Sequence, residues 1–296
     1  MGISPIVKAQ WESLLKKGIK IDYYKIKGKG IVGYLSHVIP LRKLLKKKSY
    51  ELIHAHYSFS AFIVSLTLTK IPIVVSLMGS DAFEKYFYKH LIKIFSLLFW
   101  KEVIVKSSQM KTQIGLKDAI IIPNGVNLKK FRIINKSIAK KKVNFNENKH
   151  IIFIANQTKF EKNIKLAEEA FSLIQDEKIE LNIVFDKNGI DHNKIPYFIN
   201  AADVLLLTSL WEGSPNVIKE AMACNCPIVS TDVGDVKMII SGTKGCYITS
   251  MSSEDIANKL TLALNFNGRT NGRENIAHLE SSKIADKIIK IYNKMI

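Results

Sequence analysis

Cysteine, acidic pairs and long apolar runs are all scarce in this chain of 296 residues, and each scarcity removes a class of protein. The three cysteines, Cys224, Cys226 and Cys246, are odd in number, and the first two stand too close together for a metal finger. They read as reduced packing residues, and no disulfide framework is expected. No Asp-x-Asp pair occurs, and His and Cys are too scattered to form a ligand set, which disfavours a metal-bridged diphosphate site. The glycine-lysine signature of a phosphate loop is missing, and no Ser-His-Asp or Cys-His triad can be assigned from spacing. P-loop and triad-hydrolase readings therefore fall away. The longest apolar stretch, 57–69, is cut by Lys70 and Pro72, well short of the roughly 20 residues that a spanning helix needs. Residues 1–10 lack the charged start, apolar run and cleavage site of a secretory signal, so a cytoplasmic location is expected.

What is present is an ordinary soluble composition, 47% apolar and 24% charged, in a chain long enough for two modest domains. The formal charge of +18 is unevenly spread. Residues 1–130 carry 22 Lys and Arg against 7 Asp and Glu, a net +15, whereas the remainder carries only +3. An anionic partner for the front half follows, either nucleic acid or an acidic membrane surface. Short apolar runs alternate with longer amphipathic stretches throughout, the pattern of parallel strands joined by crossover helices, so the fold class is α/β. The front strands are expected at 19–23, 52–55, 73–77, 102–105 and 119–122, and the rear ones at 151–155, 181–185, 204–208, 228–231 and 246–248. Between them 133–148 turns polar and lysine-rich and reads as a linker. Two doubly wound, Rossmann-like domains facing a ligand cleft are therefore expected, at 1–132 and 149–281, with a C-terminal helix at about 282–296 packing back on the first.

The most informative stretch is ADVLLLTSLWEGSPNVIKEAMA, 202–223. A buried strand runs out at Thr208, a loop carries Glu212 and Gly213, and a helix is expected to start with Ser214 as its N-cap and Pro215 at its first position. Free amides of that first turn, at Ser214, Asn216 and Val217 around Pro215, which has no N–H to offer, and the positive end of the helix dipole make an anion site. Glu220 lies roughly 9 Å further along the helix axis, within reach of a ribose one diphosphate away. Asn156 to Asn163 follows the first strand of the rear half and supplies Lys159 and Lys162, two cations that can neutralise a diphosphate. In the front half, the strand ending Ile53-His-Ala-His56 is expected to turn His54 and His56 to opposite faces, so that one points into the cleft.

The 202–223 block, with Glu212 and Glu220 spaced E-x7-E, resembles the donor-site signature of the retaining GT-B glycosyltransferases of family 4. Further segments resemble the family in its order: His54-Ala-His56, Leu77-Met-Gly-Ser-Asp81, Ile120 to Asn127, and Asn156 to Asn163. The resemblance implies a metal-independent, hexosyltransferase-like enzyme that uses a nucleoside-diphosphate sugar and no cofactor. It implies that Glu212 approaches the donor sugar and Glu220 holds the ribose, while His56 sits beside the reacting carbon. Lys159 and Lys162 would take the diphosphate, and Ser80 and Asp81 would line the acceptor side. Lys159 replaces an Arg of the family, keeping the charge and losing its bidentate fork.

Departures also appear. Met78 and Met238 stand where relatives carry a His and a Glu. Relatives open with a strand and a glycine turn that approaches the donor phosphates; Gly2 is read as that turn's remnant, and the first strand is expected to be missing. The +15 front half suits a lipid-linked acceptor at the inner face of the cytoplasmic membrane, in assembly of a bacterial surface polysaccharide such as capsule or lipopolysaccharide. The alternatives are a truncated inactive transferase, a sugar-nucleotide epimerase of the same fold and a nucleic-acid binder. The last is disfavoured, because no nucleic-acid module is recognised, so no nucleic-acid partner is expected.

Overall fold

The computed structural model describes residues 4–28, 30–82, 86–155, 159–185 and 191–296. They form two units, one running to Asn124 and resuming at Ser281–Ile296, the other Gly125–Glu280. In the first, four parallel strands stand in the order β1 (Ile53–His56), β2 (Ile73–Ser76), β3 (Glu102–Val105) and β4 (Ile120–Ile121). β-Branched residues dominate β2, β3 and β4, and β2 is buried throughout, as expected for a parallel sheet covered on both faces. Helices Ser58–Leu66, Tyr86–Leu98 and Ser108–Ile114 make the crossovers. Phe62, Ile92 and Trp100 fill the core over β2 and β3, and the Trp100 indole N–H donates to Ser65 Oγ at 2.9 Å, so the one polar atom of that ring is satisfied.

The strand expected at 19–23 does not form. Residues 19–27 are irregular, with no ladder partner among the described residues, and an isolated extended segment is not a strand. Their Tyr24 instead packs on the core and shares a 2.8 Å hydrogen bond with His37 Nδ1. The C-terminal helix Ser281–Tyr292 lies against helix Pro5–Leu15 in this same unit, with Lys17 paired to Asp286 at 2.8 Å.

The second unit holds five parallel strands, β5 (Lys149–Ile154), β6 (Ile179–Val184), β7 (Val204–Leu207), β8 (Ile228–Thr231) and β9 (Cys246–Thr249), in the order β6-β5-β7-β8-β9. The chain steps outward from β5 to β6, then returns to β7 on the other side. The crevice at the carboxyl ends of β5 and β7 is therefore the topological switch point, where sheets of this kind bind ligands. Helices Ile164–Ser172 and Ser253–Asn265 cover the core of Phe153, Leu206 and Val229.

Residues 133–148 are not a linker. Asn135 accepts from the Ser137 amide at 3.0 Å and starts helix Lys136–Val143, which packs on helix Ile195–Ala201. The lysines that made the segment look unstructured lie along this helix, and Lys140 extends its buried stem to donate to the Asn148 carbonyl at 2.8 Å. The division accordingly falls after Asn124 and not after 132. Residues 125–132 are held to the second unit by Arg273, whose guanidinium donates to the carbonyls of Leu128 and Phe131 at 2.7 and 2.6 Å.

Candidate functional site

The loops leaving β5 and β7 are tied together at the switch point. Thr208 Oγ1 donates to the carbonyls of Lys162 and Asn163, at 3.1 and 2.9 Å, and the Leu210 amide donates to the Glu161 carbonyl at 2.8 Å. Between the loops, Lys162 is ion-paired with Glu212, whose Oε1 also accepts from Ser209 Oγ at 2.9 Å. The cation expected at the diphosphate and the carboxylate expected at the sugar thus hold each other. Lys159 is more exposed and pairs with Glu161 at 3.3 Å. Gly213 is buried against Gly234, where φ is +63° and a β-carbon would fall 2.8 Å from the Gly213 carbonyl oxygen, so only glycine fits there without displacing backbone.

The helix after this loop starts one residue later than expected. Pro215 is the cap, without a side-chain hydrogen bond, and Asn216 is the first helical residue of Asn216–Ala223. Ser214 donates its hydroxyl to Asp235 Oδ2 at 2.6 Å instead, and the Lys219 ammonium reaches the same hydroxyl. Lys219 and Asp235 lie 3.4 Å apart and are almost wholly buried. A charge-assisted bond to a buried carboxylate outcompetes a neutral cap. Asn216 and Val217 are half-buried at the helix start.

Glu220 follows on the same helix, buried. Burial pushes its carboxyl up to about 7, against the opposing pull of Lys130 and Lys219. His192 Nε2 stands 3.9 Å from its Oε1. Neither Lys130, Lys219, Asp235 nor His192 was singled out as a site residue in the sequence, because their pairings join positions with no regular spacing. All three cysteines are unpaired and their thiols are pushed up by burial, in keeping with packing residues. Among the described residues no three His, Cys, Asp or Glu side chains converge as a metal site would require.

In the first unit, His54 and His56 share a face of β1. Their rings stack with centroids 4.4 Å apart, 24° from parallel. Side chains alternate along a strand, so residues two apart point the same way, and the expectation of opposite faces fails on that rule. His54 is locked between Tyr292 Oη at 2.5 Å and Ser76 Oγ at 2.8 Å, a structural role. Burial, with Lys106 adding repulsion, holds His56 down at about 3, so it is a neutral imidazole at physiological pH. Asp81 is fully buried and accepts from the Ser58 amide at 3.0 Å and from the Met78 amide; its carboxylate braces the strand end and the helix after β1. Ser80 is exposed in the turn Gly79–Ala82, Met238 is exposed as well, and Gly2 and residues 156–158 lie outside the described residues.

Two parallel α/β units, the second carrying a buried carboxylate and ion-paired lysines at its switch point, define a doubly wound class of protein. Comparison narrows it. Residues 17–130 match the model of glycosyltransferase family 4 and residues 148–265 that of the glycosyl transferases group 1. A UDP-Gal:α-D-GlcNAc-diphosphoundecaprenol α-1,3-galactosyltransferase of Escherichia coli is 26% identical over 75% of this chain and 68% of its own length. An N,N′-diacetylbacillosaminyl-diphospho-undecaprenol α-1,3-N-acetylgalactosaminyltransferase of Campylobacter jejuni is 24% identical over 96% of this chain and 88% of its own. Among solved structures, the Anabaena protein HepE in complex with UDP and glucose shares the fold, with a TM-score of 0.77 at 17% identity over 96% of this chain and 89% of that one. The chain belongs to the family 4 glycosyltransferases, has the GT-B fold and is a glycosyl-transferring enzyme.

Proposed function

We propose that the protein transfers a hexose, with retention of anomeric configuration and without a metal ion, from a nucleoside-diphosphate sugar to a lipid-linked glycan acceptor in bacterial surface-polysaccharide assembly. The observation that carries this reading is the Lys162–Glu212–Ser209 cluster beside buried Glu220 at the switch point. As the glycosidic bond loosens, the departing diphosphate takes up negative charge. Lys159, Lys162 and the first-turn amides beyond Gly213 stabilise it, a preorganised electrostatic contribution. Lys162 exchanges part of its pairing with Glu212 for a phosphate oxygen, and the released carboxylate takes hydroxyls of the sugar. Glu220 accepts from the ribose. His56, held neutral, is the first unit's hydrogen-bonding group for the sugar, and Ser80 lies on the acceptor side.

The acceptor class is supported by relatives named for diphosphoundecaprenol-linked substrates. It is supported also by helix Tyr86–Leu98, which exposes Tyr86, Phe87, Leu97 and Leu98 beside Lys89 and Lys93, a surface suited to an anionic membrane face in the cytoplasm. Among the described residues no helix is long and apolar enough to cross a membrane. The test supplies purified protein with UDP-galactose, UDP-glucose, UDP-GlcNAc and UDP-GalNAc in turn, and a polyprenyl-diphosphate-linked sugar, in EDTA. An α-linked product, identified by its anomeric coupling and formed undiminished in chelator, is expected. Turnover restored only by added magnesium or manganese refutes the metal-free reading, and an epimerised donor formed without acceptor replaces transfer by epimerisation.

A further inference from the structure

One group of facing side chains in the second unit is left unused by these assignments. Lys130 lies near the start of the unit and His192 in the segment between β6 and helix Ile195–Ala201. The Lys130 ammonium stands 3.1 Å from His192 Nδ1. An ammonium can only donate, so Nδ1 accepts, and the proton of the neutral ring sits on Nε2. That nitrogen faces Glu220 Oε1 at 3.9 Å. Phe131 packs edge-on against the imidazole, centroids 6.2 Å apart at 84°, and fixes its plane. The His192 side chain is 47% exposed and that of Glu220 10%, so the imidazole stands at the solvent side of a buried carboxylate.

The geometry points to His192 as a specificity-determining residue for the nucleotide: its Nε2–H and the Glu220 carboxylate together take one ribose hydroxyl, which accepts from the imidazole and donates to the carboxylate. Lys130 is the positioning residue that fixes the tautomer. The inference rests on the assignment of Glu220 to the ribose. A separation of 3.9 Å is too long for a direct hydrogen bond between the two groups. It is the span across one oxygen placed about 2.8 Å from each, with an angle of about 90° at that oxygen. A donor beside an acceptor suits a hydroxyl, which is both, and rejects a C–H, which leaves both unsatisfied.

Calorimetry on the full chain with UDP, ADP and GDP selects the tightest ligand, which is then compared with its 2′-deoxy and 3′-deoxy forms. The comparison uses the wild type, His192→Ala, Lys130→Met and Glu220→Gln. The wild type is expected to prefer the ribonucleotide to one deoxy form by about tenfold or more. His192→Ala weakens the ribonucleotide by about tenfold and leaves that deoxy form unchanged, so the preference falls by that factor to what Glu220 alone supplies. Lys130→Met retains only part of the preference; full retention removes Lys130 from the arrangement. If His192→Ala weakens ribo and both deoxy forms equally, or none, while Glu220→Gln still loses affinity, the inference fails and the ribose assignment stands. If neither variant changes affinity, or no nucleotide binds, both fall.

Discussion

Replacing Glu220 by glutamine is expected to stabilise the protein and weaken nucleotide binding at once, and the opposite signs make the test sharp. The carboxyl is raised from its ordinary 4.5 to about 7, first because it is buried, with Lys130 and Lys219 pulling the other way. Keeping it ionised above that pH costs about 3 kcal/mol relative to the unfolded chain. The sign follows from linkage. A carboxyl whose folded pKa exceeds its unfolded one contributes stability that is fully present below about pH 4.5 and is lost as pH rises through about 7. The neutral amide of Glu220→Gln carries no such penalty, so the variant gains up to about 3 kcal/mol over the wild type at pH 8 and almost nothing at pH 4.5. Thermal unfolding across that range reads the crossing directly. The ribose, donating to an ionised acceptor, contributes about 1.5–3 kcal/mol, so the variant binds roughly 10- to 100-fold more weakly. Binding to the wild type at pH 7 should also expel about half a proton, because the ligand favours the ionised form. Titration calorimetry in buffers of different ionisation enthalpy measures that release, which vanishes in the variant. A Glu220→Gln chain that melts earlier at pH 8 and binds every nucleotide unchanged would refute both the burial argument and the role.

Three further outcomes are expected. Lys162→Met and Glu212→Gln each lower turnover by about 10²- to 10³-fold, and the double variant is little worse than either, because the pair acts as one unit; additive losses in steady-state kinetics would separate them. Asp235→Ala leaves the buried Lys219 ammonium without its carboxylate and costs about 3–5 kcal/mol in denaturant unfolding, of which adding Lys219→Met recovers a part; an unchanged midpoint would show the pair to be dispensable. Leu97→Glu with Leu98→Glu, at positions 84% and 68% exposed, keeps the melting temperature and weakens sedimentation with phosphatidylglycerol vesicles; undiminished binding would move the membrane face off this helix.

The strands were legible because they are apolar runs bounded by turn residues, and Glu102–Val105 and Ile228–Thr231 fall where the pattern puts them. Helix Lys136–Val143 was not, since three successive lysines mask a short buried stripe whose only local sign is the Asn135 cap. The same division runs through the site. The strand, glycine loop and helix at 204–223 are contiguous, so their placement at the switch point could be read from neighbours in sequence. The contacts that wire the loop were not readable, because Lys130 meets His192 across 62 positions and Ser214 meets Asp235 across 21. Ser214 marks where local reasoning stops. Serine before proline is a helix cap when its only choices are the nearby amides and water, and a neutral cap contributes about 1 kcal/mol. Folding brings a buried carboxylate and ammonium to the same hydroxyl, and a bond to a charged partner is about twice as strong. Local rules lose where burial assembles charges, and in this unit three of the buried charged residues, Lys219, Glu220 and Asp235, cluster at the candidate donor site.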